Sequence, residues 1–279
     1  MARTTSAGGA EIEYETFGDA ANETVLLING LGSQMTRWPE DFCRRLTAHG
    51  LRVVRFDNRD VGKSTWFKAG DEYTVSDMAA DGIAVLDAVG AARAHVVGMS
   101  MGGMIGQVLA ADWPDRVLSF VSIMSNSGNP DLPPPDIAFL RQVAPDPAKD
   151  RKAYLDHAEK SAQHIASPGY PWPAGALRAR AEAELERAYN PAGVARQMAA
   201  VGASGDRRSK LRTIKAPTVV LHGADDVLVP VEGGRDTAAN ILGAELRVIE
   251  GMGHDLPPAL YDAFIDAILR AVQRAHAPA

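Results

Sequence analysis

Cysteine is almost absent from this sequence, since Cys43 is the single one among 279 residues. One cysteine excludes an internal disulfide and any metal site built from several thiolates. Cys43 falls in a stretch with a helical pattern, where a buried thiol is expected more often than a nucleophile. The chain therefore depends on its apolar core, and a chain of this size buries about three quarters of its unfolded surface.

An excess of positive charge and long apolar runs are also missing. The net charge is −6 and the isoelectric point is near 5.7, which argues against binding to nucleic acids or to anionic membrane surfaces. No apolar run reaches the length of about 18 residues that a membrane span needs. Residues 1–10 lack the apolar segment of a signal peptide. The sequence thus predicts a cytoplasmic protein.

Short apolar runs alternate with longer helical patterns along most of the chain. Runs of this kind are typical of strands covered on both faces. Their alternation with helices predicts an α/β protein with a mostly parallel central sheet flanked by helices. The predicted strands are 24–29, 52–57, 94–99, 117–125, 217–222 and 245–250, and the predicted helices are 38–49, 76–89, 101–112, 231–242 and 258–276.

The alternation stops between residues 126 and 214. This stretch opens with prolines, including the run 133–135, and continues with amphipathic helical patterns at 148–165 and 174–189. A stretch of this length without a clear strand is too long for a loop. We therefore predict an α/β core domain of residues 1–125 and 215–279, with residues 126–214 inserted as a helical cap over the carboxyl edge of the sheet.

The strongest local motif, Gly98-Met99-Ser100-Met101-Gly102, joins a predicted strand to a predicted helix. A serine on such a sharp turn is held in a strained backbone with its hydroxyl exposed, and the flanking glycines avoid collisions with the neighbouring strand and helix. The pattern alone is expected by chance roughly 0.1 times in a chain of this composition. Its strand–turn–helix context makes Ser100 the candidate nucleophile.

A serine hydroxyl needs a base that removes its proton, and this base needs an acid that orients it. His254 follows the last predicted strand in the glycine-rich loop Gly251-Met252-Gly253-His254 and is the candidate base. His222 is the rival, but it ends a strand, so we expect a structural role for it. Asp255 is expected to cap the final helix.

Two adjacent aspartates are candidates for the orienting acid. Asp225 and Asp226 follow the strand before His254's strand, at the edge where catalytic groups gather in open α/β sheets. The chemistry of the residues does not choose between them. Whichever of the two is not the acid is expected to be a surface carboxylate.

Backbone N–H groups are needed to bind negative charge on a reacting oxygen. One candidate is the N–H of Leu31, in the turn Asn29-Gly30-Leu31-Gly32 after the first core strand, and the other is the N–H of Met101. The alternative for the turn is an ordinary connection without a chemical role.

Cofactor motifs are missing. The segment Gly62-Lys63-Ser64-Thr65 resembles the end of a phosphate-binding loop, but Asp57 stands where that motif needs a glycine. A dinucleotide-binding glycine pattern and metal-ligand spacings are not found either. We expect neither a cofactor nor a metal ion.

Together these residues resemble the α/β-hydrolase fold superfamily, whose order of nucleophile, acid and histidine is matched by Ser100, Asp226 and His254. The resemblance selects Asp226 as the acid, because the family's acid stands at this distance from an H-G-type turn and a following proline. Asn29 replaces the family's histidine in the oxyanion turn, and Asp60 replaces a glycine in a neighbouring loop. The resemblance is greatest to bacterial esterases related to aclacinomycin methylesterase and covers residues 10–125 and 215–275.

The resemblance implies a serine esterase that hydrolyses small-molecule carboxylic esters through an acyl-enzyme intermediate. A C–C bond hydrolase, a lactonase, an acyltransferase and a cofactor-free perhydrolase are alternatives on the same triad. Dehalogenase and epoxide hydrolase activities are disfavoured, since related enzymes need aspartate in place of Ser100. A ligand receptor without catalytic activity is the remaining alternative.

Tyr170 and Trp172 stand between prolines in the predicted cap. Rigid aromatic side chains provide contact area at low entropic cost, so these two are candidates for lining a substrate pocket. The alternative is a proline-stiffened connector that packs on the helices of the cap.

Overall fold

The computed structural model describes residues 1–134, 136 and 142–277, so Pro135 of the predicted proline run lies outside them. Within the described residues the chain forms an eight-stranded sheet with helices on both faces, which confirms the predicted fold class. The strands β1 to β8 are Ala2–Thr5, Glu11–Phe17, Glu23–Ile28, Leu51–Phe56, Ala94–Met99, Val117–Ile123, Thr218–Gly223 and Glu245–Ile249. The helices α1 to α9 are Glu40–Thr47, Val75–Ala88, Met101–Asp112, Arg151–His164, Ala176–Arg187, Pro191–Ser204, Arg208–Leu211, Val231–Asn240 and Tyr261–Ala275.

The order of the strands brings the candidate site residues to one edge of the sheet. The strands lie side by side in the order β1-β2-β4-β3-β5-β6-β7-β8. Every neighbouring pair from β4 to β8 is parallel, so the carboxyl ends of these strands meet at the same edge. The loops after β3, β5, β7 and β8 leave the sheet there, which is where ligands bind in open parallel sheets.

The two faces of the sheet are covered by different helices, as β3 shows. Val25 and Leu27 pack with α1 and α9, whereas Leu26 and Ile28 pack with α2 and α3. All four side chains are fully buried. Because successive side chains of a strand point to opposite faces, a strand covered on both faces needs an uninterrupted apolar run.

The antiparallel hairpin of β1 and β2 is not predicted by the sequence patterns. β2 pairs with β4 in antiparallel orientation and alternates glutamates with less polar residues. Glu13 accepts a hydrogen bond from Arg3, and Glu15 accepts one from Arg55. A polar hairpin at the edge of the sheet does not need the continuous apolar run that reveals the central strands.

Between β6 and β7 the chain forms α4 to α7, and residues 126–214 are named the insertion. Helices α4 and α5 match the two predicted ones, whereas α6 and α7 are additional. Among the ion pairs between the insertion and the rest of the chain are two to the loop after β4: Arg187 to Asp57, and Arg196 to Asp60, each at 2.7 Å. Both carboxylates are fully buried. The division of the chain into two domains stays a prediction.

A helix that crosses a membrane must be both long and apolar. Among the described residues, no helix is both long and apolar enough to cross a bilayer.

Candidate active site

Ser100 occupies the turn between β5 and α3 with a left-handed backbone, φ 57°. A residue with a side chain adopts this conformation at a cost, so the surrounding packing must hold it. A Cβ on Gly98 would lie 2.1 Å from the carbonyl oxygen of Gly102, and one on Gly102 would lie 2.2 Å from that of Ile28. The two glycines therefore permit the sharp strand-to-helix turn that the motif predicts.

His254 and Asp226 come together from the loops after β8 and β7. Nδ1 of His254 lies 2.7 Å from Oδ2 of Asp226. Oδ1 of the same carboxylate accepts the backbone N–H groups of Leu228 at 2.9 Å and Val229 at 2.8 Å. A carboxylate fixed in this way favours the tautomer with the proton on Nδ1, which leaves Nε2 of His254 able to accept a proton.

Asp226 is kept ionised although its side chain is buried. Burial raises the pKa of this carboxyl, but the charge of His254 and hydrogen bonds from His222, His254 and Val229 outweigh burial and lower the pKa to about 2. An ionised acid in this position can stabilise the imidazolium that forms when His254 takes up a proton.

His222 lies on the other side of Asp226. Its Nε2 is 3.4 Å from Oδ2 of Asp226 and 2.8 Å from the carbonyl oxygen of Val229. The imidazole is fully buried. His222 thus packs behind the acid, and its structural role stays a prediction.

Asp225 faces away from His254 and is exposed. Its carboxylate accepts the N–H of Gly251 at 2.7 Å, and its own N–H donates to the carbonyl of Met252 at 3.0 Å. Asp225 therefore joins the loops after β7 and β8 without touching the imidazole, whereas the adjacent Asp226 contacts it.

The turn after β3 lies directly beside the serine. A Cβ on Gly30, the residue before Leu31, would be 3.6 Å from Oγ of Ser100. Across the described part of the chain, no hydrogen bond is formed by the N–H of Leu31 or of Met101. Both amides can therefore donate to an incoming oxygen atom.

Gln197 of α6 holds this turn in place. Its Oε1 accepts the N–H of Gly32 at 2.8 Å, and its Nε2 donates to the carbonyl of Arg59 at 2.8 Å. Gln197 is fully buried. The sequence gives no local signal for this contact, because Gly32 and Gln197 are 165 residues apart.

Trp172 and Tyr170 lie against the loop that carries His254. Nε1 of Trp172 donates to Oδ2 of Asp255 at 2.6 Å, and the ring of Tyr170 approaches Gly251. The expectation that Asp255 caps the final helix is wrong, because the last helical turns begin after Pro257 and the Asp255 carboxylate binds the insertion instead.

A cavity of about 710 Å³ opens beside this loop. Trp172 and Asp226 line it, together with residues of α4, whereas Ser100 and His254 do not. The cavity therefore lies next to the acid rather than over the serine. The pocket role of Tyr170 and Trp172 stays a prediction.

Two further histidines meet Glu23 at the opposite edge of the sheet. Nε2 of His276 lies 2.9 Å from Oε2 of Glu23, and Nε2 of the buried His95 lies 3.2 Å from the same oxygen. Nδ1 of His95 is 2.9 Å from Oγ of Ser119, and burial lowers the pKa of this imidazole. These hydrogen bonds fasten the end of α9 to the sheet.

Comparison with known proteins places the chain in a family. A family model for the alpha/beta hydrolase fold matches residues 23–257. The chain is 31% identical to rhodomycin D methylesterase from Streptomyces peucetius, over 91% of this chain and 92% of that protein. It is 32% identical to a putative carbamate hydrolase from Variovorax paradoxus, over 96% of this chain and 98% of that protein. A solved hydrolase from Pseudomonas aeruginosa is similar with a TM-score of 0.73 at 26% identity, over 97% of both chains. The chain belongs to the alpha/beta hydrolase fold family, as the sequence predicts.

Proposed function

We propose that this hydrolase is a serine esterase, which cleaves small-molecule carboxylic esters through an acyl-enzyme intermediate. The observation that carries the proposal is the 2.7 Å contact between Nδ1 of His254 and Oδ2 of Asp226, at the same sheet edge as Ser100. The 31% identity to a methylesterase supports an ester as the substrate.

In the proposed mechanism, Oγ of Ser100 attacks the ester carbonyl while Nε2 of His254 takes the hydroxyl proton. Asp226 stabilises the resulting imidazolium, and the N–H groups of Leu31 and Met101 donate to the oxyanion of the tetrahedral intermediate. His254 then gives the proton to the leaving alcohol. A water molecule, deprotonated by His254, then attacks the acyl carbon. The bond from this carbon to Oγ of Ser100 breaks, Oγ takes the proton back from His254, and the acid is released.

A carbamate is the second candidate substrate, because the chain is 32% identical to a putative carbamate hydrolase. Attack by Ser100 would then leave a carbamoyl group on the serine instead of an acyl group. The C–C bond hydrolase, lactonase, acyltransferase and perhydrolase activities use the same triad, so the triad does not separate them from an esterase.

The insertion is proposed to act as a cap that selects the substrate. Its helix α6 contacts the oxyanion turn through Gln197, and Trp172 reaches the loop of His254 through Asp255. Residues of the insertion thus contact both the oxyanion turn and the loop of His254, and Tyr170 and Trp172 are proposed to contact the acyl or alcohol part of the substrate.

The test compares wild type with Ser100→Ala on p-nitrophenyl esters from acetate to decanoate and on a p-nitrophenyl carbamate. Ser100→Ala is expected to lower kcat by roughly 10³ to 10⁶, because triad residues act as a unit. Ser122→Ala is the matched control, since Ser122 is buried in β6 and its hydroxyl has no hydrogen-bond partner among the described residues. A rate near wild type in Ser100→Ala would exclude the serine mechanism.

A further inference from the structure

We propose that Asp255 is a positioning residue, which holds His254 in place by fastening its loop to residues 165–172 of the insertion. These residues are named the anchor segment. The inference rests on the proposed function, because it assigns a support to the base of that mechanism.

The Asp255 carboxylate accepts three hydrogen bonds from the anchor segment. Oδ1 accepts the backbone N–H of Ser167 at 3.1 Å and also its hydroxyl, and Oδ2 accepts Nε1 of Trp172 at 2.6 Å. Asp255 and Ser167 are both buried. Removing one partner would leave a buried polar group without a hydrogen bond, which is costly, so this contact resists opening.

Three further hydrogen bonds join the main chain of residues 251–255, named the histidine loop, to the anchor segment. They bind the residues directly before Asp255, including His254 itself, so the position of the histidine backbone depends on the insertion. The bonds are Gly253 N–H to Ser167 Oγ at 2.9 Å, His254 N–H to Ile165 O at 2.8 Å and Gly169 N–H to Gly251 O at 2.9 Å.

The two backbones are also in close contact. A Cβ on Gly253 would lie 2.6 Å from the carbonyl oxygen of Ile165, and one on Gly251 would lie 3.0 Å from Cα of Gly169. The space between the two backbones is therefore too small for a Cβ, which restricts movement of the histidine loop toward the anchor segment, while the hydrogen bonds oppose movement away from it.

Stacking on Trp172 stabilises the anchor segment itself. The guanidinium of Arg180 lies over the indole ring, 4.8 Å from its centroid, and keeps Nε1 directed at Asp255. His254 is thus fixed twice: Asp226 orients the imidazole, and Asp255 fixes the main chain that carries it. Misplacing a reacting group by about 1 Å can cost about 10²-fold in rate.

The experiment compares Asp255→Asn and Ser167→Ala with wild type. Each variant is expected to lower kcat by about 10- to 100-fold with KM changed by no more than about twofold, because alignment rather than binding is lost. The rate at which a fluorophosphonate labels Ser100 should fall by the same factor, since this reaction also needs the base. The double variant should lose less than the product of the two single losses, because both substitutions remove the hydrogen bond between Ser167 Oγ and Asp255.

Asp236→Asn is the matched control. Asp236 also accepts a serine hydroxyl and a side-chain N–H, from Ser127 and Asn129, but it does not touch the histidine loop. Its kcat is expected to stay within about twofold of wild type. Trp172→Phe, which removes the indole N–H together with part of the ring and keeps an aromatic side chain, provides a second variant if Asp255→Asn does not fold, and its kcat should fall in the same direction.

Wild-type kcat and labelling rates in both Asp255→Asn and Ser167→Ala would overturn the inference, and so would a loss confined to KM. Failure of the proposed function has a different signature. In that case wild type is not labelled, or Ser100→Ala is labelled as fast as wild type.

Discussion

The turn of Ser100 and the loop of His254 lie at the same edge of the sheet but are held by different contacts. Around Ser100, backbone packs against backbone, and Gly98 and Gly102 leave no room for a Cβ. Around His254, the backbone also packs against the insertion, but two side chains add support, Asp226 on one side and Asp255 on the other. The candidate nucleophile is therefore held by backbone packing, whereas the candidate base depends in addition on carboxylates that pair with residues distant in sequence.

Asp226→Asn removes the side-chain support of the base and is expected to have the largest effect. We expect kcat to fall by about 10⁴, because an amide favours the wrong tautomer of the histidine. The measurement is steady-state hydrolysis of p-nitrophenyl acetate, with a melting curve to show that the variant is as stable as wild type. Asp225→Asn, one residue away and exposed, should stay within about threefold of wild type. A larger loss of kcat in Asp225→Asn than in Asp226→Asn would make Asp225 the acid.

Gly102→Ala disrupts the backbone packing that supports the turn of Ser100. The free energy of unfolding should fall by about 3 kcal/mol, because the new Cβ would overlap the carbonyl group of Ile28. Urea denaturation measures this change. Gly202→Ala in α6 is the control. A Cβ there meets no atom of the described residues within 4 Å, and the free energy of unfolding should rise by about 0.5 to 1 kcal/mol. Equal stability of both variants would contradict the steric explanation.

Gln197→Leu tests the support of the oxyanion turn and should have a smaller effect. We expect kcat to fall by about 10-fold at unchanged KM, because the turn loosens while its donors remain, and loss of a whole donor costs about 10²- to 10³-fold. The control is Gln273→Leu, at an exposed position of α9. An equal loss of kcat in both variants would mean that Gln197 contributes to the stability of the fold and not to the oxyanion turn.

The central strands could be predicted because burial on both faces leaves a visible pattern, as in β3. Helix α6 lacks such a pattern. It begins at Pro191 and contains Gly193 and Gly202, which weaken a helical signal although packing against the turn after β3 stabilises the helix. The polar hairpin of β1 and β2 has no apolar signal for a related reason, since its glutamates pair with arginines.

The candidate site divides in the same way. Glycine spacing pointed to Ser100 and His254, and the order of residues in a known family was needed to choose Asp226 over Asp225. The contacts of Asp255 could not be predicted, because Ser167 and Trp172 are 88 and 83 residues away in the sequence. Only folding reveals which distant polar side chain meets a given carboxylate.

Asp57 and Asp60 make it costly to exchange the insertion for that of a related hydrolase. Each of these buried carboxylates takes its guanidinium partner from the insertion, Asp57 from Arg187 and Asp60 from Arg196. A foreign insertion without these arginines would leave two buried charges unpaired, and breaking one buried pair costs about 3 to 5 kcal/mol. A chimaera built on this core must therefore keep an arginine at both positions of the insertion. Otherwise both aspartates must be replaced by neutral residues when the insertion is exchanged.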